Sequence, residues 1–135
     1  MVRTILGIAL GAIATAAALA GSGHAALALH PLPAGNAMRS LRDAAAWLET
    51  APAGAMACVV AGVGLGALLG AWCAAFVARR HRGGAALAIG SPMTAVVIVA
   101  AVLVPQPDWM PVVAMLLPIP LALCAWRLAI PRAEL

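Results

Sequence analysis

Residues 52–77, PAGAMACVVAGVGLGALLGAWCAAFV, form an uncharged apolar run with glycine at every fourth position through its middle. Gly62, Gly66 and Gly70 share one helix face, and Ala74 continues their row. A row of small residues forms a shallow groove in which the backbone of another helix can approach closely. The run therefore predicts a membrane-spanning helix that packs tightly against a second helix.

The first apolar run, residues 4–29, carries a matching row of small residues. Gly7 and Gly11 are four residues apart, and Thr15 extends the row. We expect this row to pack against the glycines of the 52–77 run within the same chain. A homodimer interface is the alternative, and the chain is rich enough in alanine and glycine for some rows of this kind to arise by chance.

The composition is that of an integral membrane protein. Apolar residues make up 65% of the 135 residues and charged residues 9%, whereas soluble domains are usually about 45–50% apolar. Four apolar runs have the roughly 20 residues that a helix needs to cross a hydrocarbon core about 30 Å thick. The fold class is predicted as an all-α integral membrane bundle of four transmembrane helices, in one domain over residues 1–135. The predicted spans are about 4–29, 52–78, 84–104 and 109–130.

The connection between the first two spans predicts a short helix of its own. Pro31 and Pro33 end the first helix, because proline lacks the backbone donor that a helix interior needs. Residues 36–50 then read as an amphipathic helix on the membrane surface, with Asn36 as its cap and Trp47 at headgroup depth. The same helix could equally pack as a lid over the bundle. Its apolar face is predicted to contain Met38, Leu41, Ala45 and Leu48.

The arginines set the predicted orientation. The positive-inside rule places both termini in the cytoplasm and the amphipathic helix on the extracytoplasmic side. We expect a multi-pass protein of a bacterial inner membrane. The sequence pI is near 10.3. We expect the arginines to interact with lipid phosphates and to set the topology, and no nucleic-acid partner is predicted. If the first run is retained, Arg3, Arg79, Arg80, Arg82, Arg127 and Arg132 lie on one side, and only Arg39 and Arg42 lie on the other, beside Asp43 and Glu49.

The first run also has a second interpretation, as a signal peptide. Ala18-Leu19-Ala20 is a small-x-small cleavage site, preceded by Arg3 and an apolar stretch from Thr4 to Thr15. Cleavage after Ala20 would leave three spans. We expect retention, because the stretch AALAL at 25–29 stays apolar where an exported domain usually turns polar.

His24 is the one side chain in the first run that suggests a polar site. It is the only ionisable group within the apolar length of that run, and such groups are candidates for a ligand or proton role. It also lies near the outer end, where interfacial water is within reach. No Asp or Glu falls inside a predicted span, and Cys58, Cys73 and Cys124 read as free apolar thiols. No catalytic, metal-binding or cofactor-binding residue is predicted, and the chain is not expected to be an enzyme.

The overall layout resembles that of uncharacterised small bacterial membrane proteins with four predicted spans. The stretches that carry the resemblance are GHAALALHPLPAG (23–35), APAGAMACVVAGVGLGALLGAWCAAFVARR (51–80) and PQPDWMPVVAMLLPIPLALCAWRLA (105–129). The resemblance implies a retained first helix. It implies no activity and assigns no residue a role.

Three hypotheses for function follow. The leading one is a non-enzymatic structural, accessory or interaction subunit, which packs through Gly62, Gly66 and Gly70 against itself or a larger membrane complex. The rival is a small oligomeric channel or transporter, whose pathway runs along the proline-interrupted third and fourth helices. A haem or quinone subunit using His24 ranks last, because no second axial ligand is evident at a matching depth. The lipid bilayer is a predicted partner in every case.

Overall fold

The computed structural model describes residues 2–32, 39–78 and 81–129, and all regular structure within them is helical. Four stretches are long and apolar enough to cross a membrane: α1, α3, α4, and α5 with α6 taken as one run from Trp109 to Leu128. The prediction of four long apolar helices is confirmed. The helices are α1 (Val2–Leu29), α2 (Leu41–Thr50), α3 (Ala53–Val77), α4 (Arg82–Leu103), α5 (Trp109–Leu116) and α6 (Pro118–Leu128).

The helix α3 is the centre of the bundle. It packs against α1 along most of its length and against α4, α5 and α6 on its other sides. Half of its most apolar 18-residue stretch is buried, against 11% for α1. The sequence run that carries the glycine row is thus the helix around which the others are arranged.

Small side chains fill the interior of the bundle, and large apolar side chains cover its outside. Among the described residues, 14 of the 23 buried apolar residues are alanine, and no leucine is buried. Helices that meet through alanine and glycine approach each other closely, because little side-chain volume separates their backbones. The largest cluster of buried residues contains Ala71, Ala74, Ala75, Ala78, Ala85, Ala86, Ile89, Ala122, Ala125 and Ala129.

The short helix α2 begins at Leu41, five residues later than the sequence predicted. Ser40 is its N-cap: the Ser40 side chain accepts a hydrogen bond from the Asp43 N–H, and Asp43 Oδ2 accepts from the Ser40 N–H at 2.9 Å. This reciprocal capping box fixes the start of the helix. The predicted cap, Asn36, and the predicted face residue Met38 lie outside the described residues.

The prolines interrupt one of the two long helices in which they occur. Leu117 separates α5 from α6, although its own backbone angles stay helical (φ −74°, ψ −46°). Pro118 and Pro120 lack the N–H groups that would bond to the carbonyls four residues earlier. The other helix, α4, continues through Pro92. The irregularity that the sequence predicted for both helices is therefore seen as a break in the assigned helix only between α5 and α6.

Candidate functional site

The described glycines with the least room for a side chain lie at the contact between α1 and α3. A methyl group built on Gly11 would lie 2.5 Å from the carbonyl oxygen of Gly70, and one built on Gly7 would lie 2.8 Å from that of Ala74. Real side chains essentially never come so near, and a backbone carbonyl cannot move aside cheaply. These two α1 positions therefore require glycine as long as α3 stays where it is.

The glycines of α3 face the same contact from the other side. A methyl group on Gly70 would meet the Thr15 hydroxyl and lie 2.8 Å from the Gly11 carbonyl oxygen. One on Gly62 would meet the side chain of Ser22, and one on Gly66 would come within 3.0 Å of the Met93 methyl carbon. The Thr15 hydroxyl and the end of the Met93 side chain can move, whereas the Gly11 carbonyl and the Ser22 Cβ, which is fixed to its backbone, cannot. On α3, Gly62 and Gly70 therefore have the least room for a side chain.

Thr15 supplies the polar link between the two helices. Its Oγ1 donates to carbonyl oxygens, with Gly11 O and Gly66 O both 3.0 Å away. The first carbonyl is on its own helix and the second is on α3. Because Gly66 has no side chain to shield its carbonyl, the hydroxyl reaches across the contact. Hydrogen bonds between helices in an apolar setting contribute about 0.6 kcal/mol on average.

The structure brings the helix-packing residues identified in the sequence into one contact. It places α1 of the same chain in the groove of α3, so a second protein cannot occupy that groove while α1 is in place. We refer to this contact as the glycine junction. Its members are Gly7, Gly11 and Thr15 on α1, and Gly62, Gly66, Gly70 and Ala74 on α3.

His24 lies apart from the glycine junction. Its side chain is exposed on α1, whereas Ala26, two residues later, is 1% exposed and belongs to the core. The other histidine near this end of the bundle, His30, is bonded through Nε2 to Thr50 Oγ1 at 3.1 Å. The structure therefore does not place His24 in a buried polar site.

Trp47 is buried against the end of the bundle, a contact that the sequence did not reveal. It is 7% exposed and packs with Ala26, Met56 and Met110, and its headgroup depth stays a prediction. Its Nε1 donates to the carbonyl oxygen of His30 at 2.9 Å, and the two rings lie 5.7 Å apart. This contact attaches α2 to the end of α1.

The buried face of α2 also differs from the predicted one. Leu41, predicted on the apolar face, is 56% exposed, whereas Trp47 and Ala51 are buried and Leu48 packs against them. The helix thus packs on one end of the bundle through Trp47 and Leu48, in agreement with the lid placement, and its position relative to a membrane surface stays a prediction. The available signal was the spacing of Ala44, Trp47, Leu48 and Ala51, three or four residues apart.

The chain matches no protein-family model, no curated protein and no solved structure. The role proposed for it below therefore depends on the geometry of the described residues.

Proposed function

We propose that the chain is an integral protein of a bacterial inner membrane that crosses the bilayer four times. The observation that carries this proposal is the distribution of apolar side chains, with alanine inside and leucine outside. A protein folded in water buries leucine, isoleucine and valine first, because their burial contributes the most free energy. In a bilayer that preference disappears, since the lipid tails are as apolar as leucine.

The proposed orientation places α2 outside the cytoplasm and the connection between α3 and α4 inside it. Arginines concentrate in the connection between α3 and α4, where residues 79–82 are Arg-Arg-His-Arg. Near α2, Arg39 and Arg42 are accompanied by Asp43 and Glu49. The positive-inside rule favours the cytoplasm for the side with the excess of arginine.

Cysteine labelling in spheroplasts tests whether α3 crosses the bilayer, and in which orientation. The starting variant replaces the three native cysteines with alanine, and single cysteines are then introduced as Glu49→Cys or His81→Cys, both exposed positions. A membrane-impermeant maleimide is expected to label Glu49→Cys in intact spheroplasts and His81→Cys only after lysis. The reverse pattern would overturn the orientation. Labelling of both before lysis would overturn the four-span arrangement.

Retention of the first helix is part of the same proposal. The helix α1 runs without a break through the Ala20–Gly21 bond. Its first half, residues 2–15, is called the inner half below, and its second half, residues 16–29, the outer half. The inner half occupies the groove of α3. Cleavage after Ala20 would remove Gly7, Gly11 and Thr15 and leave that groove uncovered. The intact mass of protein purified from its own membranes tests this: a mass without the first 20 residues would contradict retention.

We infer a non-enzymatic role as an accessory or interaction subunit. Because α1 fills the glycine groove, the support for this role comes from a different face of α3. Leu65, Leu69, Trp72 and Phe76 are exposed there at intervals of four, three and four residues, the spacing of side chains along a seam between two helices. The Trp72 and Phe76 rings stack with their centroids 5.6 Å apart, which gives this face a continuous aromatic surface. The proposed occupant is a membrane helix of another subunit.

Matched double variants test this interaction surface. Leu69→Ala with Trp72→Ala removes the centre of the face, and Leu116→Ala with Trp109→Ala removes the same residue types from the exposed side of α5. Native mass spectrometry in mild detergent is expected to show loss of an associated subunit for the first pair only. Equal retention or equal loss for the two pairs would contradict an interaction through this face.

A channel or transporter is the second candidate, and the cavity near Pro92 bears on it. That cavity, of about 340 Å³, is lined by alkyl side chains such as Ile8, Leu19 and Met93, with Thr15 as its polar member. Pathways for ions and polar solutes are lined by carbonyls or charged groups. This lining favours hydrocarbon over an ion, and it supports the interaction role over transport.

A further inference from the structure

A second cavity lies at the end of the bundle that carries α2. It has a volume of about 290 Å³, is partly open to the outside, and lies between α1, α3 and α4, with α2 and α5 closing its end. Its wall is apolar except for Gln106, whose Nε2 donates to the Ala100 carbonyl oxygen at 3.1 Å. The Trp47 indole N–H, also on the wall, is bonded to His30 O. Both groups thus have a hydrogen-bond partner within the protein.

Water is a poor occupant for this cavity. A buried water needs two to four polar partners, and the only polar side chain among the apolar residues of the wall is Gln106, apart from the bonded Trp47 N–H. Leaving the space empty forfeits the dispersion contacts of every side chain that lines it.

An alkyl chain fits both the volume and the wall. An engineered apolar cavity of about 150 Å³ holds a benzene molecule of six carbons, so about twice that volume holds roughly a dozen carbons. The cavity near Pro92 adjoins this one, since Val63 and Val97 line both.

We propose that this cavity binds one acyl chain of a membrane phospholipid beneath α2. Trp47 lines this cavity and also a neighbouring polar pocket. The polar pocket contains His30, Asp43 and Thr50. The site therefore changes from apolar to polar across a single residue, as an amphiphile at the edge of a bilayer does. This inference rests on the proposed insertion in a membrane, because the lipid enters from the surrounding bilayer.

Gly23 gives a way to fill the cavity without disturbing the helices. It lines the cavity, and a methyl group built on it has no neighbour within 4 Å. A leucine there has room for its side chain inside the space proposed for the lipid. Gly21, two residues earlier on α1, is equally free of neighbours but does not line the cavity. Gly21→Leu is the matched control, because both substitutions replace a helical glycine by a better helix former.

The experiment uses the quenching of tryptophan fluorescence by brominated lipid. One variant keeps Trp47 and carries phenylalanine at the three other tryptophan positions, and a second variant keeps only Trp72, which is 41% exposed on α3. Both are reconstituted in vesicles of phosphatidylcholine with brominated acyl chains, and in unbrominated vesicles for reference. Trp47 is expected to be quenched although it is buried, and Gly23→Leu to remove most of that quenching. Gly21→Leu should leave it unchanged.

Each contrary outcome has a distinct meaning. Quenching of Trp47 that persists in Gly23→Leu would overturn the lipid site, because the quencher would then reach the ring from outside the cavity. Quenching of Trp72 without quenching of Trp47 would overturn the lipid site and leave membrane insertion standing. Absence of quenching at both positions would overturn the membrane proposal as well.

Discussion

The two halves of α1 use glycine in opposite ways. In the first half, Gly7 and Gly11 lie against backbone carbonyls of α3, and a single methyl group on either would collide with them. In the second half, Gly21 and Gly23 have open space where a side chain would be. The spacing of the glycines is therefore more informative than their number. Gly7 and Gly11 are four residues apart and lie on one helix face, whereas Gly21 and Gly23 are two residues apart and do not.

The two halves also differ in what attaches them to the bundle. The inner half is held by close backbone approach and by the Thr15 hydroxyl. The outer half packs Ser22 against Gly62 of α3, then opens onto a cavity, and its end is attached through the Trp47 side chain and the His30 carbonyl. The inner half should therefore be intolerant of added volume, and the outer half should be sensitive to the loss of one large residue.

The largest expected effect is that of Gly11→Leu. The leucine must occupy the place of the Gly70 carbonyl, so α1 can no longer pack on α3, and the loss should reach or exceed the upper end of the about 1–3 kcal/mol typical of overpacking. Unfolding by sodium dodecyl sulfate in mixed micelles measures it. Gly21→Leu is the control on the same helix and should be as stable as the unmodified protein or more so. Equal destabilisation by both variants would refute the distinction between the two halves.

The next effect is that of Trp47→Phe at the outer end. Phenylalanine keeps an aromatic ring but loses the hydrogen bond to His30 O, which should cost about 1 kcal/mol or slightly more. The loss should be confined to α2, so amide hydrogen exchange should accelerate in residues 41–50 and remain unchanged in the inner half of α1. Faster exchange throughout α1 would show that the two halves are coupled.

A smaller effect is expected for Thr15→Val. Valine matches threonine in shape and removes only the hydroxyl group that reaches Gly66 O. Overall stability in the same unfolding assay should fall by about 0.6 kcal/mol. A loss comparable to that of Gly11→Leu would mean that the hydrogen bond, and not the close backbone approach, holds the glycine junction.

The smallest expected effect is a loss of α2 stability in strong acid. Hydrogen bonds with the Ser40 side chain, and then with the backbone N–H of Arg39, hold the pKa of Asp43 below its ordinary value of 3.8. Because folding lowers this pKa, the carboxylate stabilises α2 above about pH 3.8, and that contribution is lost as the pH falls through the lowered pKa. Amide protection of α2 should therefore decrease in strong acid. Asp43→Asn should abolish that dependence, and the same acid response in the variant would assign it to another group.

Much of the inner half follows from the sequence, for a physical reason. Close helix contact is encoded by the absence of side chains, and absence at every fourth position is visible in a single chain. The four long apolar helices follow from composition and length in the same direct way. Both features are local properties of the sequence that need no knowledge of neighbouring elements.

The outer half was less predictable, because its structure depends on distant groups. Trp47 is buried because the end of α1 offers it the His30 carbonyl and because Met56 and Met110 close around it. A ten-residue amphipathic pattern does not reveal these partners. The start of α2 is encoded by Ser40 and Asp43, which are three residues apart and form the capping box. The sequence prediction instead used Asn36 as the cap.

The glycine junction has a consequence for the order of events during synthesis. Thr15 and its acceptor Gly66 are separated by 51 residues, and a ribosome adds about 5–20 residues per second, so α1 waits roughly 3–10 s before its partner has been made. During that interval the inner half of α1 presents its bare backbone stripe to any other helix nearby. The nascent chain thus passes through a stage in which its first segment is unpaired, and this stage ends only when α3 has been made and packs against α1.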